Sequence, residues 1–378
     1  VTRLIARALA ACAGTRNVLL RSGGVLLGAV ASLTPAATRA ADLPTDQAEA
    51  LLHTYKGGGV TATGPAFLVR KSLANKVSLS GSYYVDAVSN ASIDVVTTAS
   101  PFKETRHAYD VGLDYVVRDT GIRVARSTSK EPDYTADALA VDVTQDLFGN
   151  MTTANLGFTR GWDKVGKARE GFFDQARHWQ YRLGLAQVMT SRWTASVNFE
   201  AIADDGYLGN PYRVARVFGA AVPERNPRTR SSRSVALRSA YSLAQGSALR
   251  GEVRHFRDTW GIRANTFEIA WARAFGDTLL AEGFARLHMQ GGALFYSDNA
   301  ANETLYLSRN RQLSSFTSPS LGAKATWTMR EAVRGNDVRF TGSIELKQFK
   351  YDNFTDLRTG QAYSHNAALL QLTVSANF

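Results

Sequence analysis

The chain has 378 residues, with 44 Lys and Arg against 33 Asp and Glu, a net charge of +11 and a single cysteine. Mean hydropathy is slightly negative, and no run of about 18 apolar residues occurs, which excludes a membrane-spanning helix. The lone Cys12 excludes a disulfide framework and a thiolate metal site. The basic excess raises nucleic acid as a partner, but no helical pattern gathers the arginines onto one face. Membrane phosphates and anionic solutes are the expected partners instead.

Residues 1–40 read as an export signal peptide. Arg16 and Arg21 precede a short apolar run from Gly23 to Leu33, Pro35 ends it, and Thr38-Arg39-Ala40 fits a small-x-small cleavage site. A lipoprotein reading of Leu9-Ala10-Ala11-Cys12 is the alternative, weakened by Arg7 just ahead of it. Removing the five arginines of this segment, which holds no acid, lowers the net charge from +11 to +6.

From residue 41 onward the pattern is period two. Ala48–Lys56 and Gly59–Leu73 read as two strands meeting at Gly57-Gly58-Gly59, or as one bulged strand. In Lys76–Val88, Val77, Leu79, Gly81, Tyr83 and Val85 alternate with Ser78, Ser80, Ser82, Tyr84 and Asp86. Similar segments follow at 109–117, 122–128, 134–147, 151–162, 176–189, 192–202, 231–243, 248–258, 264–275, 278–296, 318–329 and 338–349. The connections alternate short and long. Ser89–Lys103 is one long connection, which Ile93, Val95 and Val96 make unusually apolar. It reads either as a loop folded into the interior or as a hairpin extending above the membrane. The longest, 204–230, is rich in Gly, Pro and Arg.

The final stretch, Ala367 to Phe378, places Leu370, Leu372, Val374, Ala376 and Phe378 on one face and Gln371, Thr373, Ser375 and Asn377 on the other. A sandwich strand would look alike, but about sixteen such segments, most near or above the length a tilted strand needs to cross a bilayer, predict a closed barrel. The expected fold is all-β: a transmembrane antiparallel up-and-down barrel of about sixteen strands, with fourteen or eighteen as alternatives. One domain, 41–378, follows the signal peptide, and even parity places both termini in the periplasm. The terminal Phe378 resembles the signal that bacterial barrel-assembly machinery recognises, which makes that machinery an expected partner.

The blocks GGGVTATGPAFLVRK (57–71), VSLSGSYYVDAVSNASIDVVTTASPFKE (77–104), QDLFGNMTTANLGFTRGWDKVG (145–166), DDGYLGNPYR (204–213), NPRTRSS (226–232), RHFRDTWGI (254–262) and FYSD (295–298) together resemble domain-of-unknown-function family 3570. The resemblance implies an outer-membrane β-barrel of a Gram-negative bacterium. It brings no substrate, cofactor or site residues.

Function then rests on inward residues and loops. By parity Asp110, Asp114, Asp142 and Asp146 fall on the polar face of early strands, and Arg182, Arg238, Lys324 and Lys347 on that of later ones. Opposed acidic and basic walls would orient polar solutes; pairing between neighbouring strands is the alternative. Arg213, Arg216, Arg225, Arg228, Arg230 and Arg233 form a loop cluster suited to lipopolysaccharide phosphates or anionic solutes. Tyr84, Phe256 and Phe284 are bulky candidates for the interior. The six histidines are scattered without metal-ligand or catalytic spacing, so no catalytic residue, metal or cofactor is assigned. The leading expectation is a channel or passive transporter for small polar or anionic solutes. A non-conducting barrel serving as a scaffold is the alternative, with a barrel hydrolase behind it.

Overall fold

The computed structural model describes residues 42–90, 102–167, 170–244, 246–333 and 336–378; the expected signal peptide lies outside them. Sixteen strands form one closed antiparallel barrel. In chain order they are β1 (Gln47–Gly57), β2 (Val60–Ala74), β3 (Val77–Asn90), β4 (Phe102–Val117), β5 (Thr120–Glu131), β6 (Tyr134–Leu147), β7 (Thr152–Lys167), β8 (Phe172–Thr190) and β9 (Trp193–Gly206). A two-stranded hairpin, β10 (Val214–Val217) and β11 (Ala220–Pro223), decorates the next loop. The barrel resumes with β12 (Thr229–Ala244), β13 (Ser247–Asp258), β14 (Arg263–Phe275), β15 (Leu279–Gln290), β16 (Phe316–Val333), β17 (Asn336–Asp356) and β18 (Gln361–Asn377).

Each barrel strand pairs with its sequence neighbours, and β1 closes on β18 from Gln47–Asn377 to Gly57–Ala367. Closure removes both sheet edges, so every strand has two hydrogen-bonding partners. The alternation then sorts side chains. Leu52, Phe67, Val111, Leu183, Leu237, Leu321 and Leu372 are exposed on the outside, while Ser78, Ser80, Asp114, Asp142, Glu282 and Gln371 are buried within. An apolar exterior around a polar interior inverts the order of a soluble barrel and fits lipid outside and water inside.

The Arg118-Asp119, Phe148–Met151 and Ser191-Arg192 connections lie at the end of the barrel that holds both Gln47 and Asn377, while the equally short Gly58-Gly59 and Pro132-Asp133 connections lie at the other. The former is the turn end. The 207–228 and 291–315 connections lie at the opposite, loop end. The Gly58-Gly59 pair makes a left-handed turn, φ +57° and +80°, so the triple glycine separates two strands rather than bulging one.

Several boundaries differ from the alternation-based expectation. β15 stops at Gln290, β17 runs on to Asp356, and β18 begins at Gln361 rather than Ala367. The β17–β18 hairpin continues past the lipid-facing band, where Tyr351, Phe354 and Tyr363 are buried on the inside and the apolar-out code no longer applies. β3 and β4 stay paired to Asn90–Phe102; Ile93, Val95 and Val96 lie outside the described residues. Two strand prolines coincide with gaps in the ladder. The β2–β3 register skips Gly64 and Pro65, and the β16–β17 register skips Ser318 and Pro319, as expected for a residue with no N–H to donate.

At the turn end a small latch ties the closing seam. Asp46 accepts the Ser72 N–H at 2.6 Å and pairs with Lys71 Nζ at 2.6 Å, while its carbonyl accepts the Phe378 N–H at 3.2 Å. Lys71 also lies over the Phe378 ring, 4.9 Å from its centre. The Lys71 ammonium and the Ser72 hydrogen bonds hold the Asp46 carboxyl at about 2. A carboxyl depressed in the folded state adds stability above its unfolded pKa near ~4, and loses it as pH falls through the folded value. Asp46→Asn is therefore expected to lower the thermal unfolding midpoint at pH 6, with the gap from the parent closing between about pH 4 and pH 2, as read by the heat-dependent gel shift.

Candidate functional site: the lumen and its mouth

The inward face is a continuous field of ion pairs. Asp114 receives Arg123 Nη1 at 2.7 Å, and Asp110 lies 3.7 Å from the same guanidinium. Asp142 pairs with Arg182 at 2.8 Å and Arg238 with Glu252 at 2.7 Å. Arg254 meets Glu200 at 2.9 Å, and Arg250 meets Glu282 at 2.7 Å. Arg286 bridges Glu268 at 2.9 Å and Glu345 at 3.2 Å, and Lys347 also meets Glu345 at 3.3 Å. Lys324 stands opposite Glu282 in the ladder. Asp146, near the turn end, accepts the Thr153 hydroxyl at 2.6 Å.

The expected lumen residues thus all sit on the inward parity, but their partners stand on the same strand or on strands one or two away. The charges are neutralised within each wall rather than opposed across the barrel. Glycine allows some of these contacts. Arg182 on β8 reaches Asp142 on β6 over Gly157 of β7, where a Cβ would lie 2.3 Å from Asp142 Oδ1. Gly112 of β4 likewise leaves room for Arg123 of β5 to reach Ser80 of β3. The bulky candidates also face inward. Tyr84 stacks on His53 with centroids 4.8 Å apart, Phe256 joins the cluster around Trp260, and Phe284 covers Gly322.

Two histidines meet carboxylates inside, which their scatter along the sequence conceals. His53 Nε2 lies 2.5 Å from Asp86 and 2.9 Å from the Tyr84 hydroxyl, and Arg106 holds the other Asp86 oxygen. His178 lies between Asp204, 2.8 Å from Nδ1, and Asp163, 2.9 Å from Nε2, and Tyr134 also donates to Asp163. With a carboxylate within hydrogen-bond distance of each ring nitrogen, His178 has neither nitrogen free to act as a base. The ring links two buried acids. His255 faces outward and His288 faces inward beside Phe316.

The mouth at the loop end is covered by the chain itself. The β15–β16 connection folds inward, and Ser308, Arg309, Asn310, Arg311, Leu313 and Ser314 are all buried. Its single 3-10 turn, Arg311–Leu313, is capped by the Asn310 side chain accepting the Gln312 N–H at 3.0 Å. The inward-facing Gln290 donates to the carbonyls of Gln312 and Ser314. The Arg311 guanidinium lies over Tyr363, an inward residue of β18, which fixes this segment inside the rim.

Arg309 ties the two long loops to the end of β17. Its guanidinium pairs with Asp298 at 2.7 Å, donates to the Thr355 carbonyl at 2.7 Å and lies 4.3 Å from the centre of the Phe354 ring. Its N–H donates to Glu224 at 2.9 Å. Below it, Phe316, Phe349, Tyr351, Phe354 and Tyr363 form a buried aromatic floor.

The arginines of the 204–233 stretch do not stand as one free cluster. Arg225 pairs with Glu303 at 2.5 Å, Arg228 clasps both oxygens of Asp174, and Arg230 pairs with Asp258 at 2.5 Å while lying over Trp260. Arg216 donates to the Gly219 carbonyl, and Arg213 also has a partner. Arg233 alone of the six is exposed on the outer wall of a strand without a partner among the described residues.

The described residues include no group of three or more His, Cys, Asp or Glu arranged to hold a metal ion. The ion pairs missed by sequence reasoning were within reach of its own parity rule: Arg123, Arg286 and Glu345 fall on the polar face of β5, β15 and β17. Arg309 and Arg311 had no such signal, because the loop carries no periodicity.

The family described as "Protein of unknown function (DUF3570)" matches residues 25–172 and 158–341. The chain belongs to that family. No curated protein matches it. Among solved structures the DUF3570 barrel is similar to a bacterial polysaccharide outer membrane secretin at 8% identity and TM-score 0.49, covering 89% of this chain and 100% of that one. It is also similar to the siderophore receptor PirA of Pseudomonas aeruginosa at 9% identity and TM-score 0.43, covering 88% and 81%. A FadL homologue of the same organism matches at 9% identity and TM-score 0.42, covering 90% and 92%. At these levels the likeness concerns the fold alone. The closed, even-stranded barrel with its apolar exterior makes the DUF3570 barrel a protein of the bacterial outer membrane.

Replacing His178 by Phe leaves Asp163 and Asp204 buried without their shared partner, and breaking a buried pair in this way costs about 3 kcal/mol or more. His178→Phe is expected to unfold at clearly lower denaturant concentration than the parent, followed by tryptophan fluorescence, with His178→Lys intermediate.

Proposed function

We propose that this barrel is a passive outer-membrane channel for small polar solutes, narrowed at the outer mouth by the inward-folded 291–315 loop. The supporting observation is the contrast between wall and mouth. Charges facing the mid-lumen keep solvent access: Arg254 and Arg238 are 37% and 31% exposed and Asp110 is 20% exposed at the side chain. Sixteen strands enclose more space than side chains fill. The mouth, by contrast, is lined by buried Arg309 and Arg311 over an aromatic floor.

Paired charges of both signs along the wall favour hydrated, dipolar or weakly charged solutes over apolar ones. The arginines at the constriction add a bias toward anions and zwitterions. The arrangement asks nothing of a cofactor, and each step is diffusion past fixed charges.

The test is conductance in a planar bilayer. The parent protein is expected to give small, steady openings with a modest anion preference under a salt gradient. Shortening the mouth loop, by replacing 298–314 with a short Gly/Ser link, is expected to raise single-channel conductance severalfold. Absence of conductance in both the parent and the shortened protein, each folded by circular dichroism, contradicts the channel reading.

A further inference from the structure

Three arginines stand side by side on the outer wall at the loop end. Arg233 of β12 is directly opposite Arg257 of β13, and Arg257 is directly opposite Arg263 of β14. All three are exposed, and none makes an ion pair among the described residues. Like charges facing each other across adjacent strands repel, so this arrangement works against barrel stability unless an anion sits between them. The nearest outward carboxylate on the adjoining β9 is Asp205, opposite Thr229. It lies four residues along from Arg233's neighbour Ala201, or about 13 Å at roughly 3.3 Å per residue.

The rows beneath fix the height of this triplet. The next outward row is Val235, His255 and Asn265, with His255 hydrogen-bonded to Asn265 at 2.9 Å. Then come Leu237, Val253 and Phe267, all exposed apolar side chains. The series ends on Tyr241, Leu249 and Trp271 near the turn end. From Arg233 to Tyr241 is about eight residues, roughly 26 Å of strand, and a tilt of about 40° makes that about 20 Å of height. That approaches the ~25 Å apolar band of such barrels, so the arginines mark its upper border, at the level of the lipid headgroups.

We propose that Arg233, Arg257 and Arg263 form a binding site for the phosphate groups of a phosphorylated glycolipid in the outer leaflet, with its acyl chains lying along Leu237, Val253 and Phe267. Guanidinium groups bind phosphate oxygens bidentately and lose little hydration in doing so. Three on adjacent strands span two strand spacings, about 10 Å, which suits a headgroup carrying more than one phosphate. The other arginines of the 204–233 stretch are spent on protein partners and do not contribute. The site is independent of whether the lumen conducts.

The probe is bis-phosphorylated lipid A added to refolded protein in an uncharged detergent, with fully dephosphorylated lipid A and inorganic phosphate as parallel arms. Bis-phosphorylated lipid A is expected to raise the thermal midpoint of the parent, and Arg233→Gln/Arg257→Gln/Arg263→Gln to weaken its apparent affinity tenfold or more. Without lipid, the triple variant is expected to melt at or above the parent temperature, because the mutual repulsion is gone; a merely structural role predicts a drop. Should the triple variant fail to refold, Arg257→Gln alone, at the centre of the row, is expected to weaken binding severalfold. Equal affinity in parent and variant, or equal stabilisation by dephosphorylated lipid A, overturns the proposal. So does equal stabilisation by inorganic phosphate alone.

Discussion

A strand inside hydrocarbon has no water to satisfy its backbone, so each N–H and C=O must find a partner strand. The β1–β18 seam meets that requirement for the last two edges, from Gln47–Asn377 to Gly57–Ala367. The other features follow from it. A closed sheet has an inside and an outside, period-two sequence assigns alternate residues to each, and the inside must then accommodate a large number of polar groups. The DUF3570 barrel answers with local neutralisation. Arg123, Arg182, Arg238, Arg250 and Arg286 each find a carboxylate on the wall they stand on.

Neutral walls have a functional consequence. A charge paired with its neighbour projects a short-ranged dipolar field rather than a strong net potential along the lumen, so the wall is hydrophilic without strongly favouring one ion. In the proposed channel, selectivity then falls to the mouth. There Arg309 joins the 207–228 and 291–315 connections to the end of β17 through Glu224, Asp298 and Thr355. The aromatic floor of Phe316, Phe349 and Phe354 gives the inward loop something to pack on. The result is a cover made from the barrel's own connections.

How much of this was legible in the sequence depended on periodicity. Strands such as Val77–Asn90 and the terminal Ala367–Phe378 segment announce themselves, because lipid demands apolar residues at every second position. The strand count and the parity of Asp110, Asp142, Arg182 and Lys347 followed. The pairing of those charges did not, since Arg182 meets Asp142 by reaching over Gly157 of the intervening strand, and sequence order gives no hint of such a bridge. The boundaries of β17 and β18 slipped where inward Tyr351 and Tyr363 became apolar like the outside. The mouth was invisible: nothing in 291–315 distinguishes a buried loop from a solvated one, and the arginines of 204–233 look like one cluster until their separate partners are seen.

The part of the 291–315 loop from Ser308 to Ser314 folds inside the rim. Single cysteines at Leu305 and Ser308 test it, labelled on intact cells with a membrane-impermeant maleimide. Leu305 is 74% exposed and Ser308 is fully buried, three residues away. Fast labelling of Leu305→Cys is expected, with Ser308→Cys protected until the barrel is unfolded. Equal, rapid labelling at both positions would contradict an inward-folded mouth.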